Sequence, residues 1–280
     1  MTSSVKTALH TSSPELPHPA RQYASFVTPS GIRIGYEVWG EGPPLVLIHG
    51  AFSDQNTNWK YVRSLLAPHV TGYAMSRRGR GETDATSGHD VSDEVADAIA
   101  LVRHIGTPVR LLGHSYGALV ALGVAAAVPS LVDKLISYEA PVPSNFDADA
   151  LAPLIELGKA QDWRALATRF FGEYLSVPDA DLRALQSSED WHDILADTEA
   201  SLGDLCALAR HRFDPNDYST IVMPTLLQTG GDSPRELYLT DIIASVVPAA
   251  SVEVLAGQAH EAMTTSPSQY ANSVIKFLNL

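Results

Sequence analysis

Residues Val109 to Val128 read VRLLGHSYGALVALGVAAAV. An apolar run of strand length stops at Gly113. After Gly117 a longer Ala/Leu/Val segment follows, too long for one strand and rich in helix formers. A strand feeding straight into a buried helix is the unit of a parallel sheet, because parallel strands need a crossover connection. This one stretch therefore constrains the chain to layered α/β architecture.

The rest of the chain repeats the alternation. QYASFVTPSGIRIGYEVWG predicts a hairpin around Pro29-Ser30-Gly31. PPLVLIHG and VTGYAMS read as strands, and NWKYVRSLLAP between them as a helix. VSDEVADAIALVRHIG is an amphipathic helix ending at Gly106. DKLISYEAP, MPTLLQTG and SVEVLAG supply further strands, and PSQYANSVIKFLNL a last helix. Between Val142 and about Ser219 only helical patterns appear. The expected fold is a mostly parallel, doubly wound sheet (residues 22–141 and 220–280) carrying a helical cap or lid (142–219). Residues 1–21, rich in Ser, Thr, Pro and His, read as a mobile arm outside it.

Bulk properties exclude several function classes. The chain has 280 residues and a formal net charge of −13, which disfavours nucleic acid and anionic membrane surfaces as partners. No window reaches the length of a membrane span, and the N-terminus has no apolar signal core. One cysteine, Cys206, allows neither an internal disulfide nor a cysteine zinc site. The expected setting is cytoplasmic, with no metal and no cofactor; oligomeric state leaves no mark in the sequence.

Ser115 lies in Gly113-His114-Ser115-Tyr116-Gly117, the G-x-S-x-G pattern, between strand and helix. A sharp turn there exposes the hydroxyl, and the flanking glycines allow neighbouring backbone to approach. A serine hydroxyl needs a base. Among ten histidines, His260 follows the last strand and opens on the same sheet edge. The base in turn needs an acid. Asp232, in LLQTGGDSP 28 residues before His260, is the preferred candidate; Glu139, at the end of LISYEAP, is its rival. The oxyanion donors are expected to be the backbone N–H groups of Tyr116 and Ala51, with Phe52 as fallback for Ala51. His114 is expected to point away, and Arg77, Arg78 and Arg80 to anchor their loop rather than bind a substrate carboxylate. Phe52, Trp163, Phe170 and Tyr174 are the candidate pocket residues.

These residues together resemble the α/β-hydrolase fold family, over about Gln22 to Leu280. The order Ser115, Asp232, His260 is that family's chain order, HGAFSD resembles its oxyanion loop, and SRRGRGETD resembles its D-R-R-G-R-G-x-S loop. Ser76 stands where that loop usually has Asp, and Thr83 where it has Ser. YEAP, GGDSP and GQAHEAM are similar to a bacterial subgroup of hydrolases with a helical cap. Relatives that open epoxides or carbon–halogen bonds attack with Asp, so the resemblance with Ser115 implies a serine hydrolase. Its expected substrate is a small to medium apolar carboxylic ester; lactones and carbon–carbon cleavage are the alternatives, and a non-catalytic receptor is a further one.

Overall fold

The computed structural model describes residues 19–85 and 88–279. Most of the expected N-terminal arm lies outside the described residues, and the first strand already begins at Arg21. Among the described residues, eight strands form one sheet: β1 (Arg21–Val27), β2 (Arg33–Trp39), β3 (Pro44–Ile48), β4 (Thr71–Met75), β5 (Val109–His114), β6 (Val132–Tyr138), β7 (Thr225–Gly230) and β8 (Ala250–Leu255). Their order is β1-β2-β4-β3-β5-β6-β7-β8. β1 pairs antiparallel with β2, and β2 antiparallel with β4. Every other neighbour is parallel.

The burial pattern explains the order. β3, β5 and β7 are interior strands and buried almost throughout, as their continuous apolar runs demand. β8, at the edge, is largely exposed. Helix α1 is short (Arg63–Leu66), α2 spans Val91–Ile105, and α3 spans Tyr116–Ala127. α3 is apolar on nearly every side and is correspondingly buried against β5 and β6. α2 begins with the Asp93 carboxylate accepting the Asp90 N–H at 2.8 Å and ends on Gly106 in the left-handed region.

The segment 58–68 departs from the single helix expected. Only Arg63–Leu66 is helical, and turns precede it. Asp54 Oδ1 accepts from the N–H groups of Asn56 and Thr57, and Asn58 Oδ1 is drawn to the Gly50 N–H. Such local side-chain bonds compete with helix.

Between β6 and β7 the chain is helical: α4 (Ala148–Lys159), α5 (Trp163–Arg169), a wide π turn at Phe170–Tyr174, α6 (Asp179–Gln186), α7 (Asp190–Ala196) and α8 (Thr198–Arg210). The chain then forms α9 (Thr240–Val246), α10 (Ala262–Thr265) and α11 (Pro267–Leu278) around β8. The parallel strands β3, β5, β6 and β7 end at one edge, and the helical insertion leaves the sheet there, directly after β6.

Candidate active site

Ser115 ends β5 and starts α3 with φ 55° and ψ −123°. A non-glycine residue at positive φ costs on the order of 1–3 kcal/mol and persists only where packing imposes it. The neighbours impose it here. A Cβ on Gly117 would fall 2.2 Å from the Ile48 carbonyl oxygen, and one on Gly113 would fall 2.4 Å from the Gly117 carbonyl oxygen. Both glycines of the pattern are thus required by close backbone contact. The Ser115 N–H donates to the Tyr138 carbonyl at 2.8 Å, which ties the corner to β6.

His260 follows β8, and its Nδ1 lies 2.6 Å from Oε2 of Glu139. Glu139 follows β6, also at positive φ (52°), and is completely buried. Its other oxygen accepts the Gly230 N–H at 2.7 Å and the Thr229 hydroxyl at 3.1 Å. Burial opposes the Glu139 charge, but the bond to and charge of His260, with the Gly230 N–H, outweigh it, so its pKa is lowered. Burial likewise opposes charge on His260, and Glu139 reverses the balance, raising the imidazole pKa above its ordinary value.

Asp232 does not fill the place expected of it. Two residues beyond β7, it is exposed, and its backbone N–H donates to Gln258 O at 2.9 Å. The carboxylate on His260 is that of Glu139, which directly follows β6, the neighbour of β5, on a backbone of positive φ.

Four further contacts hold that loop. The Tyr138 hydroxyl donates to the Ala259 carbonyl. His114 Nε2 lies 3.0 Å from the His260 carbonyl and Nδ1 3.0 Å from Asn58 Oδ1. The His114 and His260 rings are 4.7 Å apart, and Tyr238 stacks on His260 at 5.1 Å. His114 therefore faces the back of the His260 loop, and burial and nearby His260 both push its pKa well down. Its place beside Ser115 was the available signal; its contact with a residue 146 positions away was not visible in sequence.

On the opposite side lies the loop after β3. Among the described residues the Ala51 N–H has no acceptor, whereas the Phe52 N–H donates to Ser201 Oγ of α8 at 2.6 Å. The Tyr116 N–H opens α3, where a helix supplies no internal acceptor. The two amides expected to be available, Ala51 and Tyr116, line one cavity with Ser115 and His260, and Phe52 is engaged elsewhere.

A buried ionic cluster fixes this loop. Arg77 donates from Nε to the His49 carbonyl and from Nη2 to the Gly50 carbonyl, both at 2.9 Å. It also pairs with Glu94 of α2 (2.8 Å) and Asp204 of α8 (2.7 Å). Arg80 pairs with Asp204 at 2.6 Å and donates to Ser201 Oγ at 2.9 Å. Arg78 pairs with Asp97. Burial opposes charge on Asp204, yet the two guanidinium groups hold its pKa well below the usual range. His89 approaches Glu94 to 3.0 Å; burial opposes its charge, but Asp204 and Glu94 raise its pKa to about 9. Glu94, Asp204 and His89 have the spacing of a metal-ligand group, and Arg77 and Arg80 supply the cations there. Thr83 bonds both the Ser76 carbonyl and the Gly35 N–H, so this loop is tied to β2 without a carboxylate at position 76.

Two cavities meet at His260. One, of about 180 Å³, is lined by Ser115, Tyr116, Phe146, Phe170, Tyr174 and Leu205 among others. The larger, of about 600 Å³, is lined by Phe52, Asn58, Asp181, Asp232 and the His260 loop among others. Of the expected pocket residues, Phe170 and Tyr174 face the first and Phe52 the second. Trp163 lines neither: at the start of α5 it packs beside Gly158 and the apolar core. A serine hydroxyl, an imidazole backed by a buried carboxylate and two free amides around one cavity are the parts needed for acyl transfer.

The alpha/beta hydrolase family profile matches residues 45–273. A non-heme chloroperoxidase, CPO-A1, from Kitasatospora aureofaciens is 27% identical over 278 residues, covering 90% of this chain and 98% of that protein. An uncharacterized protein of Mycobacterium tuberculosis is 30% identical over 122 residues, 41% of this chain but only 34% of its own length. Among solved structures, an alpha/beta hydrolase from Sphaerobacter thermophilus superimposes with a TM-score of 0.77 at 26% identity, covering 91% of this chain and 100% of that one. Among the described residues no helix is long and apolar enough to cross a membrane.

Proposed function

The chain belongs to the alpha/beta hydrolase family, and from that premise we propose that it is a serine hydrolase cleaving small to medium carboxylic esters through an acyl-enzyme. The observation that carries the reading is the 2.6 Å Glu139–His260 contact beside a cavity shared with the strained Ser115.

Ser115 Oγ attacks the ester carbonyl carbon while His260 Nε2 takes the hydroxyl proton. The carbonyl electron pair moves onto oxygen, which the Ala51 and Tyr116 N–H groups stabilise; one such donor is typically worth about 3 kcal/mol. Glu139 holds Nδ1–H and favours the imidazolium. Collapse of the intermediate breaks the bond to the alcohol oxygen, which receives the proton from His260. Water, deprotonated by His260, then attacks the acyl-enzyme and releases the carboxylic acid.

The test is paired measurement on Ser115→Ala. Turnover of a nitrophenyl acyl ester and labelling by a fluorophosphonate are both expected to vanish. Turnover that survives the substitution overturns the assignment. Product analysis on lactones and vinylogous diketones separates an esterase from the lactonase and carbon–carbon alternatives.

A further inference from the structure

The two cavities that meet at His260 differ in size, wall chemistry and position relative to the proposed chemistry. The small one is lined by Ser115, Ala51 and Tyr116. The rest of its wall is mostly apolar, formed by Phe146, Phe170, Leu205, Leu208 and Leu237; its polar members are Asn145 and Glu173, the latter paired with Arg169 at 2.9 Å. Tyr174 also lines it, but its hydroxyl is spent on the Ala150 carbonyl. About 150 Å³ of apolar cavity suffices for benzene, so 180 Å³ holds a fragment of about six or seven carbons.

The large cavity lies on the side of the His260 loop itself, walled by Gly257, Gln258, Glu261 and Thr264. His260, which in the proposed mechanism gives the departing oxygen its proton, lines both cavities, and its loop forms a wall of the large one. Its wall carries the carboxylates of Asp181, Asp190, Asp193, Asp232 and Glu261 and no lysine or arginine. Lys60, outside the wall, pairs with Asp190 and Asp193; Asp181 and Asp232 have no such pair among the described residues. Asn58 also lines this cavity. It is more than nine-tenths buried, its Oδ1 is fully engaged, and its Nδ2 has no partner among the described residues. A buried amide donor without an acceptor costs about 1–3 kcal/mol, and a ligand oxygen in this cavity would relieve it.

We propose that the substrate is divided unequally: a short apolar acyl group of about six or seven carbons at most enters the small cavity, and a bulky, oxygen-bearing alcohol portion, neutral or cationic, occupies the large one. This rests on the serine-hydrolase reading above. It gives Asp232 a place in the alcohol site and puts most of the substrate's polarity at the alcohol end.

Two ester series test it. In the first, one nitrophenol carries acyl groups from acetyl to dodecanoyl. In the second, acetate is joined to alcohols of rising size, including a quaternary ammonium alcohol, its uncharged tert-butyl isostere and a carboxylate-bearing analogue. We expect kcat/KM to fall at least about tenfold from hexanoyl to decanoyl, with no matching fall as the alcohol grows. The carboxylate-bearing acetate is expected to be about tenfold slower than the isostere at low ionic strength, the gap closing with salt. Leu208→Ala should move the acyl limit to longer chains, and Leu237→Ala, at a half-buried position, reads the same point if the first variant does not fold. Turnover that is indifferent to acyl length, or limited by alcohol size instead, overturns the division; equal rates for anionic and neutral acetates overturn its electrostatic half. Loss of all turnover together with absent fluorophosphonate labelling overturns the underlying serine reading instead.

Discussion

Oε2 of Glu139 lies 2.6 Å from Nδ1 of His260, across 121 positions of sequence, with the acid at the end of the strand beside that of Ser115. The carboxylate is buried, doubly hydrogen-bonded through its other oxygen, and held on a backbone of positive φ. Asp232 is exposed. Exchange of a buried, oriented carboxylate for an amide leaves shape nearly unchanged but removes the acceptor that selects the imidazole tautomer. Glu139→Gln is therefore expected to lower kcat by about 10³–10⁴-fold, and Asp232→Asn by less than about threefold on a nitrophenyl acetate. Steady-state kinetics on the two variants decide it; the reverse ranking returns the acid to Asp232.

The same pair sets a pH dependence. His260 must be neutral to accept the Ser115 proton, and its pKa is raised above the ordinary 6.5, burial opposing and Glu139 prevailing. Activity is thus lost as pH falls through that raised value, so the acid limb of kcat/KM should have its midpoint above pH 6.5. In Glu139→Gln the main opposition to burial is gone and only the weaker Glu261 charge remains, so the midpoint of the residual activity should move to lower pH. A pH–rate profile with the midpoint unmoved in the variant contradicts the coupling.

The sheet was legible because its central strands are continuous apolar runs and α3 is apolar all round; neither can be placed except in the middle of two layers. The Ser115 corner was legible because Gly113 and Gly117 flank it between a strand and a helix. The acid was not. Glu139 and Asp232 both follow sheet strands ending on one edge, and the difference between them is a backbone angle at Glu139 and an outward turn after Gly230, which no local pattern records. Trp163 shows the same limit on the helical insertion. An apolar residue on an amphipathic helix announces burial, not the surface that buries it, and Trp163 meets Gly158 rather than a cavity. The Arg77–Asp204 pair, 127 positions apart, is likewise a product of the fold alone.

Ser201 provides the last prediction, because it joins the helical insertion to the loop after β3, the proposed oxyanion loop. Its hydroxyl accepts the Phe52 N–H at 2.6 Å and an Arg80 N–H at 2.9 Å, and donates to the Asp197 carbonyl at 2.6 Å. Phe52 stands at φ 56°, a conformation that needs an external hold. With the Phe52 N–H engaged, the neighbouring Ala51 N–H is left for the oxyanion of the proposed mechanism. Ser201→Ala strands the buried Phe52 donor, at a cost of about 1–3 kcal/mol, and the loop can recover part of it only by turning. A modest loss of oxyanion geometry should lower kcat about tenfold while KM for a short acyl ester changes little, since ground-state contacts lie elsewhere in the cavity. Binding of a boronate that mimics the tetrahedral intermediate should weaken in proportion to kcat, and Ser201→Thr, which keeps the hydroxyl, should retain most activity. A variant that loses thermal stability but keeps kcat and boronate affinity would make Ser201 a structural link only.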